Sequence, residues 1–280
     1  MTREVKGRGT GLRYRSPMST IATPPVGTLI RQWRQRRRLS QLDLAGDAEI
    51  STRHLSFVET GRSLPSRGMV LRLAERLDVP LRERNRLLHA AGYAPLFRER
   101  SLDDPDLRAA RQAIDTLLAA QEPFPALAID RHWTLVAANR PVLRLLGDIE
   151  DASLLSPPVN VLRLSLHPRG LAPRIANLAQ WRGHLLARLH HQIEVSADPV
   201  LNALLGELRE LPIAAPGSDA PEPGEAGIVV PLRLRSPAGV LDLISTTTVF
   251  GTPVDVTLAE IAIESFFPAD AFTAQALREA

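Results

Sequence analysis

The stretch Ser40–Arg62 constrains this chain more than any other. Its spacing predicts two short helices joined by a tight turn. Ser40 suits an N-cap, because its hydroxyl can accept a bond from an early orphan backbone N–H. Leu42, Leu44 and Ala45 are expected on the buried side of the first helix. Ser51 caps the second, in which Leu55 and Val58 share one face while Thr52, Arg53 and Ser56 share another. Gly61 is expected as the left-handed residue that closes it, with Arg62 following. A helix that turns Thr, Arg and Ser outward can enter a major groove while the first helix braces it across the backbone. The competing reading is a small helical bundle that binds protein.

Charge favours the groove. Residues 1–100 hold 20 Lys and Arg against 9 Asp and Glu, whereas residues 101–280 hold 14 against 22. A basic module joined to an acidic one predicts that the first meets phosphate and the second does not. Nearly all the basic charge is Arg, whose guanidinium pairs bidentately with phosphate and guanine. A chain of 280 residues is expected to form two domains, and a 44% hydrophobic content can build their cores. Without cysteine there is no disulfide or thiolate chemistry. No apolar run approaches a membrane-spanning length, so a cytoplasmic protein is expected.

Residues 1–25 are polar and basic and read either as a flexible arm along DNA or as sequence upstream of a start at Met18. Thr28–Arg38 predicts a first helix with Leu29, Ile30 and Trp33 inward, and its Arg36-Arg37-Arg38 run as a backbone clamp or a solvated face. Ser66 and Leu81 open two further helices, the last ended by Gly92. This gives a helical domain over 26–98, a linker over 99–105 and a second domain over 106–280. In the second, Asp106–Gln121 has helical spacing. Pro125–Ile129 and Thr134–Ala138 read as a hairpin, and Asn139 caps a helix after it. Helices follow at Asn160–His167, Ile175–Ile193 and Pro199–Leu211, then an exposed Pro/Gly/acidic loop at 214–227. Strands are expected at Ile228–Arg235, Val240–Phe250 and Leu258–Phe267, with a short helix at the end. Two strands, helices, then three strands describe an antiparallel sheet wrapped on one side by helices, a topology that suits a PAS-like sensor.

The Ser40–Arg62 stretch with its flanking helices resembles the lambda-repressor-like, xenobiotic-response-element (XRE) family of helix-turn-helix regulators. The resemblance implies that Gln41 touches phosphate, that Thr52, Arg53 and Phe57 read base edges, and that Thr60 and Arg62 touch backbone. Ser51 and Ser56 complete the expected DNA-facing set, and Arg34 with Glu59 matches an ion pair typical of that fold. The turn departs from the family, with Ala48-Glu49-Ile50 where Gly is usual, which would put Glu49 in a left-handed conformation at some strain. Over residues 28 to 279 the chain also resembles the narrower MmyB-like regulators. The phrases that carry it include Arg53-His54-Leu55-Ser56-Phe57, Asp130-Arg131-His132-Trp133, His167-Pro168-Arg169-Gly170-Leu171 and Ile263-Glu264-Ser265-Phe266-Phe267-Pro268-Ala269-Asp270. The implied fold is multidomain: an all-α five-helix lambda-repressor-like DNA-binding domain plus an α+β PAS-like ligand-binding domain. The implied partners are double-stranded operator DNA and a small apolar acid, a fatty acid.

No metal-ligand spacing, Gly-rich phosphate loop or nucleophile elbow is present, so a regulator is expected and an enzyme is not. Arg163 and His167 lie one helical turn apart on a Leu-rich helix and could hold an acyl carboxylate, with Asn160 and Leu164 beside them. The alternative for Arg163 is a structural salt bridge. Trp181 is placed with the pocket candidates, although Trp133 and Trp181 both read first as core anchors. Ser245–Thr248 could line a polar pocket or serve only as strand formers. Reading two half-sites requires a two-fold pair, so a homodimer is expected. The rival for the second domain is a dimerisation or protein-partner module without ligand.

Overall fold

The computed structural model describes residues 24–212, 230–251, 253 and 255–279. Residues 1–23 of the expected arm and the whole 214–227 loop lie outside them. Five helices come first: α1 Val26–Arg36, α2 Gln41–Asp47, α3 Thr52–Glu59, α4 Arg67–Arg76 and α5 Leu81–Ala90. Side chains set three of the starts. The hydroxyls of Ser40, Ser51 and Ser66 accept from the N–H groups of Asp43, His54 and Met69, and Asp43 answers the Ser40 N–H to close a capping box.

Ile30, Leu44, Leu55, Leu73, Leu77 and Leu88 meet in one core with no exposed surface. Each such side chain stabilises the fold by about 1.5–3 kcal/mol. Leu42, expected to be buried, is instead 70% exposed. Residues two apart on a helix point to nearly opposite sides, so burying Leu44 sends Leu42 into solvent. Glu49 takes the left-handed conformation at φ 56° and Gly61 at φ 76°. For Glu49 this costs roughly 1–2 kcal/mol, and bonds from the N–H groups of Glu49 and Ile50 to the carbonyls of Gly46 and Ala45 offset it.

Arg34 on α1 grips Glu59 on α3 through two bonds, Nε–Oε1 at 2.7 Å and Nη2–Oε2 at 3.0 Å. Nearby, α1 begins against the end of α3 at Gly27, where a Cβ would sit 2.1 Å from the Val58 carbonyl oxygen. Only glycine allows that approach. Two members of the Arg36–Arg38 run are engaged within the fold. Arg37 donates to the carbonyls of Leu77 and Asp78, and Arg36 to those of Ile193 and Glu194, so both cations cover the carbonyl ends of other helices.

Beyond α5 the chain crosses over while staying tied to the first unit. The Asn85 side chain accepts from the N–H groups of Leu96 and Phe97 and donates to the Phe97 carbonyl. Arg98 pairs with Asp255 in a parallel bridge. Arg82 on α5 holds Glu260 with two bonds of 2.9 Å and reaches Glu99 as well. These carboxylates hold the Arg82 guanidinium above its ordinary pKa. Removing it should loosen the two units: Arg82→Ala is expected to cost about 1.5–3 kcal/mol of docking. Hydrogen exchange should then quicken across 99–105, and unchanged exchange there would mean that the clasp carries no weight.

The second unit opens with α6 Arg108–Ala120, then β1 Ala126–Ile129, β2 Leu135–Ala138 and α7 Arg140–Leu145. Next come α8 Val161–Leu166, α9 Leu178–Ser196 and α10 Pro199–Glu210. The chain ends with β3 Leu232–Ser236, β4 Gly239–Val249, α11 Val256–Ala259, β5 Ala262–Pro268 and α12 Ala271–Glu279. The sheet is antiparallel throughout, in the order β2-β1-β5-β4-β3, so the early hairpin lies beside the last strand. Asn139 caps α7 and is buried, bonded to Ala126, Leu118 and Phe124. On one face of the sheet Ile114 and Leu118 of α6 cover Ala126, Ala128 and Ile263. On the other, α8, α9 and α10 build the larger core around Leu162, Leu189 and Leu208.

Several boundaries differ from expectation by a few residues, among them α1 at Val26–Arg36 and β3 at Leu232–Ser236, and two of the shifts have a local reason. Helix α9 starts after Asn177 because that side chain is bonded to Pro231 and Arg233, and Ile175 bridges Leu234. The last strand starts at Ala262 rather than Leu258 because Asp255 caps a helical turn over Val256–Ala259.

Candidate DNA-binding face and ligand cavity

Helix α3 presents the expected outer face. Arg53 and Arg62 are exposed, and their guanidinium groups lie 5.4 and 5.9 Å from the centre of the Phe57 ring. The ring thus props two cations with much of their hydrogen-bonding capacity free. Thr52 and Ser56 are half-buried beside them. Three of the expected contacts are already engaged within the fold. The Ser51 hydroxyl caps α3, the Thr60 hydroxyl donates to the Ser56 carbonyl at 2.7 Å, and Gln41 donates to Glu59 at 2.8 Å. Burial resists charge on Glu59, but bonds from Arg34 and Gln41 outweigh it and hold its carboxyl below the usual range.

Between the sheet and the helices lies a cavity of about 110 Å³. Leu127 and Phe266 of the sheet, Leu162 and Leu164 of α8, and Trp181 and Leu185 of α9 are among its walls. It is apolar save for Ser165, Arg188 and Glu264. An apolar cavity with few polar groups suits a small hydrophobic molecule.

Of the residues expected to hold a ligand, Leu164 and Trp181 line this cavity, whereas Arg163, His167 and Asn160 do not. Arg163 turns to α10 and makes a bidentate pair with Glu207, Nε–Oε1 at 2.6 Å and Nη2–Oε2 at 2.7 Å. Both side chains are nearly half exposed, and each partner stabilises the other's charge. The salt-bridge alternative therefore describes Arg163 here. His167 ends α8 and accepts from the Arg169 N–H, while Asn160 caps α8 and donates to the His132 carbonyl. Leu162, Leu164 and Leu166 are the buried residues of α8, and Arg163 is exposed, its guanidinium reaching α10 and not the cavity.

The polar residues of the cavity went unread. Arg188 follows Trp181 and Leu185 at helical spacing, and Glu264 is a lone acid inside the apolar strand Ile263–Phe267. Either position signals a buried charge, but only the fold joins them. Thr247 of the Thr run joins that pair through its hydroxyl. Among the described residues no group of His, Asp and Glu could hold a metal ion. No described helix is long and apolar enough to cross a membrane.

Residues 25–87 match the family model of a helix-turn-helix domain, and residues 110–280 match that of the MmyB-like transcription regulator ligand binding domain. No curated protein matches the chain. The second match alone spans well over half the sequence and contains the cavity, while the first contains the Arg53–Phe57–Arg62 face. The chain belongs to the MmyB-like transcription regulators, with a helix-turn-helix DNA-binding domain ahead of a ligand-binding domain.

Proposed function

We propose that residues 26–98 bind double-stranded operator DNA, that residues 106–280 form a PAS-like sensor of a small apolar ligand, and that 99–105 joins them. The ligand carries an apolar hydrocarbon chain, as does the fatty acid that the family resemblance implies. The hairpin beside the last strand and the cavity between the sheet and α8–α10 support the PAS-like reading, although α6 covers the other face, so the helices are not confined to one side as the sequence led us to expect. In this reading the chain is a cytoplasmic homodimer that reads two half-sites, and the basic residues 1–25 extend the contact with DNA. Light scattering that gives a monomer at operator-binding concentrations contradicts the dimer.

One observation carries the link between ligand and DNA: the walls of the cavity belong to elements that clasp the helix-turn-helix domain. Trp133 lines the cavity, and its neighbour Arg131 lies 3.7 Å from Glu260, the residue that holds Arg82. Strand β5 carries Glu264 and starts just after Glu260. Helix α9 carries Trp181 and Arg188, and its last carbonyls meet Arg36. Trp133 sits in the left-handed region at φ 64°, unusual for a bulky side chain, with its indole N–H bonded to Gln192 of α9. A ligand acts by favouring one arrangement of these elements over another.

Base readout is tested at Arg53. Arg53→Ala should cost about 1–3 kcal/mol at one base position, with Gln41→Ala weakening binding evenly across sequences. Binding-site selection on both variants measures this, and an unchanged preference in Arg53→Ala removes that residue from the reading set. Mass spectrometry of the natively purified protein tests the sensor: a co-purifying acyl molecule supports it, and an empty domain favours a scaffold.

A further inference from the structure

The polar end of the cavity is a charge pair that is already satisfied. Arg188 donates from Nη1 to Glu264 at 2.9 Å and from Nη2 to the Thr247 hydroxyl at 2.8 Å, with a second, shorter bond to Glu264. The Thr247 hydroxyl donates to Glu264 in turn. The guanidinium packs over Trp133, 4.7 Å from the ring centre. Glu264 is deeply buried, with a side chain 6% exposed, while that of Arg188 is 29% exposed. They are the only cation and the only acid among the described residues lining the cavity. His184, one turn before Arg188, supplies no second positive charge, since burial and the neighbouring guanidinium push its imidazole below the ordinary range.

Taking the cavity as the ligand site, as proposed above, we infer that it selects molecules whose head group is uncharged and offers a hydrogen-bond donor beside an acceptor, such as an alcohol or a primary amide, over the carboxylate of the same chain. A carboxylate arriving here meets Glu264 already on Arg188. Sharing Arg188 puts net negative charge into an apolar cavity, and displacing Glu264 leaves a buried carboxylate without a partner. An uncharged group disturbs neither. Arg188 keeps its Nε–H, and Glu264 Oε2 accepts a single bond from the protein, so a hydroxyl or amide can accept from one and donate to the other. The apolar walls hold the chain, each buried methylene contributing alike whatever the head group, so the pair decides the class of ligand.

The test uses the full chain and three probes of equal length, octanol, octanamide and octanoate, titrated calorimetrically at a pH well above the pKa of the acid. The wild type should bind the alcohol and the amide about tenfold or more tighter than octanoate. Glu264→Gln frees the charge of Arg188 and should reverse that order. Octanoate binding the wild type as tightly as the uncharged probes would overturn the inference while leaving the cavity as the ligand site. Binding of none of the three to the wild type would overturn the ligand-site reading and the inference with it. If Glu264→Gln fails to fold, the wild-type order alone decides.

Discussion

Gly27→Ala should strip the helix-turn-helix domain of about 3 kcal/mol, the upper end of what overpacking costs. The added methyl would stand 2.1 Å from the Val58 carbonyl oxygen and 3.0 Å from that of Glu59. Both are backbone atoms at the end of α3, so nothing can rotate out of the way. Relief requires α1 to lift from α3, which opens the core at Ile30 and Leu55. Chemical denaturation of the full chain should show an early transition for this domain, with operator binding lost alongside. An unshifted midpoint would mean that the two helices meet less closely than described.

Glu59→Ala should be at least as damaging. Glu59 has a side chain 1% exposed and Arg34 one 11% exposed, so truncating the acid strands a buried guanidinium. Breaking a buried pair on one side costs about 3–5 kcal/mol. Gln41 loses its partner in the same step. The pair also gives stability a pH dependence of known sign. The carboxyl of Glu59 ionises more readily in the fold than in the unfolded chain. Its contribution is therefore complete above the unfolded value of about 4.3 and is lost as pH falls through the lower folded value. Acid titration of unfolding should lose this component in Glu59→Gln, and an acid limb identical to wild type would contradict it.

Local signals in the sequence carried a long way. Ser40, Ser51, Ser66 and Asn139 are caps because a short polar side chain before an apolar periodic run has one favourable use. The hairpin and the order of strands and helices followed from periodicity and turn residues. The Arg34–Glu59 pair came from family resemblance, since nothing local links residues 25 apart. Where two uses competed for one residue type, sequence alone could not choose. Arg163 on a Leu-rich helix reads either as an acid anchor or as one half of a salt bridge, and Glu207, 44 residues away, makes it the second. Arg36 and Arg37 looked like phosphate clamps, and carbonyl ends of helices from both domains take them. The charge that does reach the cavity pairs residues 76 apart, a distance over which neither propensity nor spacing speaks.

In the function proposed above, the cavity and the outer face of α3 respond to one another through shared elements. The measurement closest to it is the affinity of the full chain for its selected operator, with and without saturating octanol, in wild type and in Leu164→Trp, which fills the cavity from α8. Coupling between sites is typically worth about 1–3 kcal/mol, or roughly 5- to 150-fold in affinity. The account predicts a shift of that order for wild type and none for the filled variant. Octanol that binds the wild type and leaves its operator affinity unchanged would contradict it.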